Sequence, residues 1–452
     1  MAGVRRWSWL FCVVTLVATA CGSRLTSEEI RAQSAVNGDG SGFSAGEGTS
    51  GADDASATGD DSTATTLVGA SAGAAGKKTS GATGAGAAAT NGSKAPIVVG
   101  LVGSFSGIAG PPSRPVADIW VAWSKMINAK GGINGHKVQL LIGDDGTNAA
   151  RSISIAQDFV ENKKAIALSF MGPDTVAFAN WAKSKGIPVI GSPPGDPVWH
   201  TNPRMFPASA GVDAGAWGQA RLIKDKGAKK VAVVYCAESP ICKAAADKFS
   251  AQAKQQGLEV VDEIQVSLAA PDYTAECLRL KSRGAEAVST ATTNDAALRI
   301  ANSCGRQTYK PKWTTSAADD RMAKSPDFDG ALSATQAFPW FLRSGAPGID
   351  EYVAALTKYA PNRLTDGNSL QATAWASAKI FELAAQKVAD QPTTQNILDG
   401  LWSIKGATIG GMAPGGAART YTREQPTPDT YCVFPAQVQG GKWTGSLTPV
   451  CR

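Results

Sequence analysis

From Pro96 onward, short runs of apolar residues alternate with helical patterns, and this alternation limits the fold more than any other feature of the chain. Four strand patterns, from PIVVGLVGSF at residue 96 to IPVIGS at residue 187, are separated by three helical ones. Strict alternation favours a parallel sheet with right-handed crossovers. Continuous apolar runs are typical of strands buried on both faces. The sequence therefore predicts an α/β fold with a doubly wound parallel sheet.

The alternation resumes after a proline-rich break, GSPPGDPVWHTNP, and predicts a second α/β unit of similar size. The chain end, TYCVFPAQVQGGKWTG, predicts a β-hairpin with its turn at QGGK. Between these two regions the apolar spacing predicts three helices, over residues 348–359, 369–389 and 394–404.

The glycine-rich stretch KGGINGHKVQLLIG does not predict a phosphate site. A phosphate loop follows a strand and opens a helix, so that backbone N–H groups face the anion. Here a helix is expected first, over Val116–Lys130, and a strand follows. Gly131 and Gly132 are thus expected to end the helix with positive φ, and Asn134-Gly135 to turn the chain into the strand.

The first 20 residues have the pattern of a signal peptide. Arg5 and Arg6 precede the apolar stretch WSWLFCVVTLVATA, which is too short for a stable membrane span. Ala20 followed by Cys21 resembles a bacterial lipobox, which predicts lipidation of Cys21. The alternative is an ordinary signal peptide cleaved near Ala20.

Residues 21–94 are dominated by Gly, Ala, Ser, Thr and Asp. Such a composition cannot bury enough apolar area to offset the entropy of ordering. We predict a lipid-anchored, disordered tether, with a reach of roughly 50 Å by flexible-chain scaling. A tether of this kind fits an anchored protein that works outside the cytoplasm.

Charge and cysteine usage exclude several classes of protein. The net charge is +6, and no Lys/Arg run is interleaved with aromatics, so nucleic-acid binding is not predicted. Six cysteines follow Cys21, and an even number in an exported chain favours disulfides, with 15 possible pairings. No CxxC pair occurs and the two histidines, His136 and His200, are far apart, so neither a metal nor another cofactor is predicted.

A set of motifs carries a resemblance to a known family. IVVGLVGSFSG, KMINAKGGINGHKVQLLIGDDG, FMGPDT, KGIPVI and GAKKVAVVY follow one another in order. Together they resemble the branched-chain amino-acid (leucine/isoleucine/valine) binding proteins of ABC importers, over nearly all of 96–452. The resemblance implies the type I periplasmic-binding fold, in which two doubly wound lobes are joined by a three-strand hinge. Lobe one would hold 95–208 and 337–408, and lobe two 209–336 and 409–452.

The fold implied by this resemblance places a small-molecule ligand between the lobes, outside the carboxyl ends of the strands. In lobe one the strand ends carry the candidate ligand-binding residues Ser104, Phe105, Ser106, Asp174, Thr175, Ser192, Gly195 and Asp196. In lobe two the candidates are Tyr235, Glu238, Thr292, Thr293, Asn294, Ser316 and Asp319. For each of them the alternative role is a helix cap or a turn.

Two departures from the family pattern concern ligand charge. Relatives use donors in the lobe-one loops to hold a ligand carboxylate, whereas this chain has Asp174 and Asp196 there, and Pro193 and Pro194 have no N–H to donate. If both acids face the cleft, a bound anion is disfavoured, so the ligand is predicted to be neutral or cationic. The alternative is that Asp174 caps its helix and Asp196 turns away.

The position of each cysteine in this fold predicts a pairing. Cys236–Cys242 would close the loop after a lobe-two strand, and Cys277–Cys304 would join the helices that flank one strand. Cys432–Cys451 would connect the C-terminal hairpin to the chain end.

The function expected from the resemblance is that of a lipoprotein substrate-binding component. It would deliver a small polar or amphipathic solute, amino-acid-like or amide-like, to an ABC importer permease, and only the N-terminal lipid would touch the outer face of the membrane. The alternative is an extracellular sensor of the same fold that acts with a signalling partner. An enzyme is not predicted, because Ser, His and Asp residues form no nucleophile–base pattern.

Overall fold

The structure is a computed structural model that describes residues 94–107, 110–172, 174–191 and 196–452. All described residues belong to one compact unit, Ala87–Arg452. The expectations for the signal peptide, the tether up to residue 93, Cys21, Pro193, Pro194, Ser192 and Gly195 lie outside the described residues.

The first sheet is parallel throughout and has the strand order β2-β1-β3-β4-β5. Its strands are β1 Ile97–Gly103, β2 Val138–Asp144, β3 Ala167–Met171, β4 Val189–Gly191 and β5 Met205–Pro207. All seven residues of β1 are buried, as expected of a central strand covered on both faces. The doubly wound parallel sheet predicted from the alternation is thereby confirmed.

Three helices follow strands of this sheet: α1 Gly110–Ala129, α2 Ala149–Glu161 and α3 Thr175–Lys185. The predicted start of α1 at Val116 was six residues late. Pro111 and Pro112 lie in the first turn, where a proline costs no intrahelical hydrogen bond, and the helix also contains Pro115 in its interior. Gly131 and Gly132 have φ values of 106° and 90° and end α1 as predicted.

The second sheet has the order β12-β11-β10-β9-β8-β6-β7, with β13 paired to β11. Its strands are β6 Lys230–Cys236, β7 Glu259–Val266, β8 Ala287–Ala291, β9 Lys312–Thr315, β10 Leu332–Thr335, β11 Cys432–Gln439, β12 Lys442–Gly445 and β13 Val450–Cys451. Its helices are α4 Val212–Asp225, α5 Pro240–Gln255, α6 Thr274–Ser282, α7 Asn294–Arg306 and α8 Asp320–Lys324. Strands β11 and β12 are antiparallel to their neighbours, and Gly440-Gly441 joins them in the predicted hairpin.

The chain returns to the first sheet with α9 Pro347–Tyr359, α10 Ser369–Ala384 and α11 Thr394–Ser403. Helices α9 and α10 pack on α1, and α10 also contacts β4. The aromatic contact at this junction joins Trp120, Trp123 and Phe381, with ring centroids 5.4–6.4 Å apart. We call β1–β5 with α1–α3 and α9–α11 lobe one, and β6–β13 with α4–α8 lobe two.

Three segments connect the lobes and lie side by side. Ala210 of the first donates its backbone N–H to the carbonyl of Gln336 in the second, at 2.9 Å. The side chain of Tyr421 in the third donates to the carbonyl of Pro207, also at 2.9 Å. The boundaries at residues 208, 336 and 408 stay a prediction.

The three predicted disulfides are present. The Cα atoms are 5.4 Å apart in Cys236–Cys242, 5.0 Å in Cys277–Cys304 and 4.1 Å in Cys432–Cys451. All three lie in lobe two. Within the described residues, no helix combines the length and the hydropathy needed to cross a membrane.

Candidate functional site

The strand ends of lobe one are tied together by two neighbouring acids. Ser104 follows β1, and its Oγ donates to Oδ1 of Asp145, 2.6 Å away. Asp145 is fully buried, and its second oxygen accepts a bond of 2.7 Å from Ser152 Oγ. The Ser104 hydroxyl therefore holds the loop after β2 in place.

Asp144 performs the same task through backbone groups. Its Oδ1 accepts from the backbone N–H groups of Phe105, Ser106 and Gly146, at 3.0–3.2 Å. Burial raises the pKa of Asp144, but hydrogen bonds from Ser106, Gly146 and Phe105 outweigh it and leave the pKa below its usual value. The buried Phe105 and the exposed Ser106 thus belong to a loop fixed by a carboxylate.

The predicted acids of lobe one both cap helices. Asp174 is exposed and accepts from the backbone N–H of Ala177 at 2.9 Å, at the start of α3. Asp196 is half-buried and accepts from Val198 N–H at 2.9 Å. Thr175 is buried in the first turn of α3. The capping role given above as the alternative is what the structure shows, and contact of these residues with a ligand stays a prediction.

Two of the lobe-two candidates lie toward the sheet edge formed by β7. Glu238 Oε1 accepts bonds of 2.7 Å from Ser267 Oγ and Leu268 N–H, in the loop after β7. These bonds, that of Ser267 first, lower the pKa of Glu238. Tyr235 is half-buried, with Lys243 Nζ 5.7 Å from its ring centroid. Neither residue lines the pocket described next.

A cavity of about 220 Å³ opens between the lobes. It is lined from lobe one by the start of α1 and the segment between α9 and α10, and from lobe two by the loops after β8 and β9. We call it the cleft pocket. Its lining residues are Pro112, Pro115, Thr293, Asn294, Asp295, Asp319, Arg321, Arg363, Asp366, Gly367 and Asn368.

The lobe-two wall is a fixed ion-pair network around Asp319. This residue is 5% exposed, and its Oδ2 accepts from Arg321 Nη2 at 2.7 Å and from Asn294 Nδ2 at 2.9 Å. Arg321 also donates to Asp295 Oδ1 at 2.5 Å. A buried carboxylate held by several donors is pre-organised, because its partners fix its position before a ligand arrives.

The lobe-one wall includes residues that do not follow strands and were not predicted from the sequence. Arg363 Nε donates to Asp118 Oδ2 at 2.9 Å and Arg363 also pairs with Asp366, while Asn368 Nδ2 donates to the carbonyl of Pro112 at 3.0 Å. Arg363, Asp366 and Asn368 lie between two helices, so no strand end points to them. Arg321, in contrast, stands two residues after the predicted Asp319 and could have been found there.

A direct contact between the lobes lies beside the cleft pocket. The backbone N–H of Asp320 donates to the Gly367 carbonyl at 3.0 Å, and the Asp320 carboxylate accepts from Gly367 N–H at 2.8 Å and from Trp340 Nε1 at 3.0 Å. Burial raises the pKa of Asp320 despite these bonds. Movement of one lobe against the other must therefore strain or break this contact.

Of the remaining lobe-two candidates, one lines the cleft pocket and two do not. Thr293 lines it and caps α7, whereas the half-buried Thr292 donates to the Thr293 carbonyl at 3.2 Å. Ser316 is half-buried and is not part of the lining. Among the described residues, no three His, Cys, Asp or Glu side chains are grouped so that they could hold a metal ion.

Two α/β lobes joined by three side-by-side segments, with a polar pocket at the carboxyl ends of strands between them, define the class of two-lobe solute-binding proteins. Comparison with known families agrees with this class. The model of the periplasmic binding protein family matches residues 96–442. The chain belongs to this family, which consists of extracytoplasmic solute-binding proteins rather than enzymes.

Individual relatives are more distant. An amino acid binding protein of Pseudomonas aeruginosa is 29% identical over 204 residues, which cover 40% of this chain and 52% of the relative. This chain thus matches about half the length of that protein.

Solved structures share the fold at low identity. A branched-chain amino acid ABC transporter protein from Thermus thermophilus with bound valine has a TM-score of 0.69 at 17% identity, covering 80% of this chain and 97% of that one. A fatty acid ABC transporter substrate-binding protein from Thermomonospora curvata has a TM-score of 0.67 at 18% identity, covering 79% and 92%.

Proposed function

We propose that the protein is the lipid-anchored substrate-binding component of an ABC importer. It takes a small polar or amphipathic solute, amino-acid-like or amide-like, between its lobes. The observation that carries this proposal is the cleft pocket, whose walls come from both lobes and hold fixed charged groups. A solute bound there would contact both lobes at once, which is the condition for ligand-driven closure of a hinge.

The size and lining of the cleft pocket support a small, polar solute. At about 220 Å³, the cleft pocket is below the usual range of about 300–1,000 Å³ for pockets that bind drug-sized ligands, so it suits a small solute. Among the side chains that line the pocket, only Pro112 and Pro115 are apolar, so an aliphatic chain would bury little area there. Leucine-type ligands are accordingly proposed to bind weakly.

The charges of the lining support a neutral or cationic solute. Three carboxylates, Asp295, Asp319 and Asp366, stand against two guanidinium groups, Arg321 and Arg363. The excess carboxylate disfavours a net anion. Asp174 and Asp196 would add to this preference if their unbonded oxygens face the ligand, which is the form in which we retain them as site residues.

A thermal-shift panel tests the proposal. The full chain carrying Cys21→Ser, which removes the proposed lipid site, is mixed with amino acids, amides, polyamines and aromatic acids. We expect a small neutral or cationic solute to raise the melting temperature, because a ligand that binds only the folded state stabilises it by mass action. A panel in which a net anion gives the largest shift would refute the charge assignment. If leucine, isoleucine or valine gives the largest shift, unchanged by Asp174→Asn and Asp196→Asn, then aliphatic ligands do bind and these two acids do not select the ligand.

Measurements of solute uptake in a deletion strain distinguish a role in import from a role in sensing. Deletion of the protein should abolish uptake of the identified solute at low external concentration while leaving transcription of solute-responsive genes intact. The reverse result would favour the sensor.

The lipid anchor is tested separately. Globomycin should cause the unprocessed precursor to accumulate, and Cys21→Ser should release the protein from the membrane fraction. A Cys21→Ser protein that is processed and membrane-bound as before would rule out lipidation at this residue.

A further inference from the structure

A second cavity, of about 460 Å³, lies next to the cleft pocket and is also built by both lobes. Asp319 lines the cleft pocket, whereas the next residue, Asp320, lines this second cavity. Lobe two contributes Lys324 of α8 and Lys442 of β12, and Arg343 comes from the chain that enters lobe one before α9. We call this cavity the basic pocket.

The basic pocket holds more positive than negative charge. Lys324, Arg343 and Lys442 form no ion pair with any carboxylate among the described residues. The single lining acid, Asp320, is already bonded to Gly367 and Trp340. Three cations against one carboxylate leave the basic pocket with excess positive charge, which raises the local concentration of anions.

The three cations differ in how they are held. Arg343 donates from Nη1 to the carbonyls of Trp340 and Leu342, at 3.2 and 3.0 Å, which fixes its position. Lys324 Nζ reaches across to the carbonyl of Thr365 in lobe one, at 3.3 Å. The exposed Lys442 has no side-chain partner within the described ranges. One unbonded ammonium group and one that makes a single long hydrogen bond thus stand beside a fixed guanidinium.

The rest of the cavity wall is apolar and aromatic. Phe341 and Leu364 are half-buried on the lobe-one side, and Trp443 is 6% exposed on the lobe-two side. The Trp443 indole donates to the Asp319 carbonyl at 2.8 Å, so the ring is fixed to the loop whose side chain lines the cleft pocket. A ligand that packs against Trp443 would therefore act on the loop that carries Asp319, which a solute in the cleft pocket also contacts.

We propose that the basic pocket is a second ligand site that takes a small aromatic carboxylate and is coupled to the cleft. The carboxylate lies toward Lys324 and Lys442, and the ring packs against Phe341 and Trp443. Because the pocket walls belong to both lobes, an occupant binds one arrangement of the lobes better than another and shifts the affinity of the cleft. The coupling rests on the proposed function, whereas binding of the carboxylate does not.

Direct titration tests the site. The Cys21→Ser full chain is titrated with 3-phenylpropionate by calorimetry, beside the double variant Lys324→Glu/Lys442→Glu. The variant should bind at least about tenfold more weakly, since both ammonium groups are replaced by like charges. Lys254→Glu is the matched control, because Lys254 is an exposed lobe-two lysine on α5 that also lacks a side-chain partner among the described residues.

Two outcomes would overturn the site. Equal affinity in the wild type and the double variant would show that the carboxylate binds elsewhere. Inorganic phosphate binding as tightly as 3-phenylpropionate would show recognition of charge alone and contradict the aromatic class.

The coupling has its own measurement. Saturating 3-phenylpropionate should change the dissociation constant of the cleft solute by at least about threefold, and the cleft solute should change that of 3-phenylpropionate by the same factor. Two independent dissociation constants would overturn the coupling. If the panel yields no cleft solute at all, the proposed function fails, while the titration with the lysine variants still decides the basic pocket.

Discussion

Lobe one contains no cysteine and is held by a cluster of large aromatic side chains, whereas lobe two carries all three disulfides. In lobe one, Trp120, Trp123, Trp375 and Phe381 lie between α1, α9 and α10 and are completely buried. This cluster joins two parts of the chain that are more than 200 residues apart. Its stability comes from burial in the folded state.

Lobe two obtains part of its stability by a different route. Cys277–Cys304 closes a sequence separation of 27 residues, and the crosslink restricts the unfolded chain. We therefore expect the two halves of the binding cleft to respond to different perturbations. Large-to-small substitutions should damage lobe one most, and loss of disulfides should damage only lobe two.

The largest expected effect is that of Trp120→Ala. The side chain is fully buried, with its ring centroid 5.4 Å from that of Trp123 and 6.4 Å from that of Phe381. Its removal should lower the free energy of unfolding by about 4 kcal/mol, measured by denaturant titration. Trp181→Ala, in a half-buried position on α3, is the control and should cost about 1 kcal/mol. Equal losses would mean that the aromatic cluster is not what holds lobe one together.

The next effect is that of the double variant Cys277→Ala/Cys304→Ala. Loss of a crosslink of this length should lower the free energy of unfolding by about 3 kcal/mol. Hydrogen exchange should show loss of protection in α6 and α7 but not in β1–β5. If amides of lobe one lose as much protection, the lobes do not differ in the way proposed.

The smallest effect concerns pH and His200, which connects the two regions. His200 follows β4, and its Nδ1 lies 3.0 Å from the carbonyl of Thr427, on the chain that returns to lobe two. Burial lowers the pKa of His200, and the Asp429 charge only partly opposes this. The folded protein therefore binds a proton less readily than the unfolded chain.

The sign of the effect follows from proton linkage. As pH falls below about 6.5, the unfolded chain gains a proton at His200 before the folded protein does, so stability decreases. In His200→Gln this decrease between pH 6.5 and 5 should be smaller, by up to about 1 kcal/mol. Melting temperatures across this range provide the measurement, and an unchanged slope in the variant would exclude His200 as the cause.

Much of the fold could be predicted because it is encoded locally. Alternating apolar runs specify strands and helices, Gly131-Gly132 specifies a helix end, and cysteine positions relative to strands specify the pairings. Strands β5 and β10 were not predicted. They have three and four residues, too few to show a period, and the equally short β4 and β9 were predicted from their place in the alternation with helices.

The candidate site was less predictable than the fold. Thr293, Asn294 and Asp319 follow strands and line the cleft pocket. Arg363 and Asn368 line it from a segment between helices, and they reach it only because α9 and α10 return to lobe one after more than 120 residues of lobe two. The local spacing of residues in the sequence does not show which distant segments pack together.

Binding of a solute between the lobes is tested most directly by calorimetric titration of the Cys21→Ser full chain with the solute that gives the largest thermal shift. One variant from each lobe is compared with the wild type, Asp366→Asn for lobe one and Arg321→Gln for lobe two. Arg279→Gln, which removes an exposed arginine that pairs with Asp262 and does not line the cleft pocket, is the control.

If the solute binds in the cleft pocket, the wild type and the control should bind with micromolar or tighter affinity, and both cleft variants should be at least about tenfold weaker. Affinity that is unchanged in both cleft variants would contradict binding between the lobes.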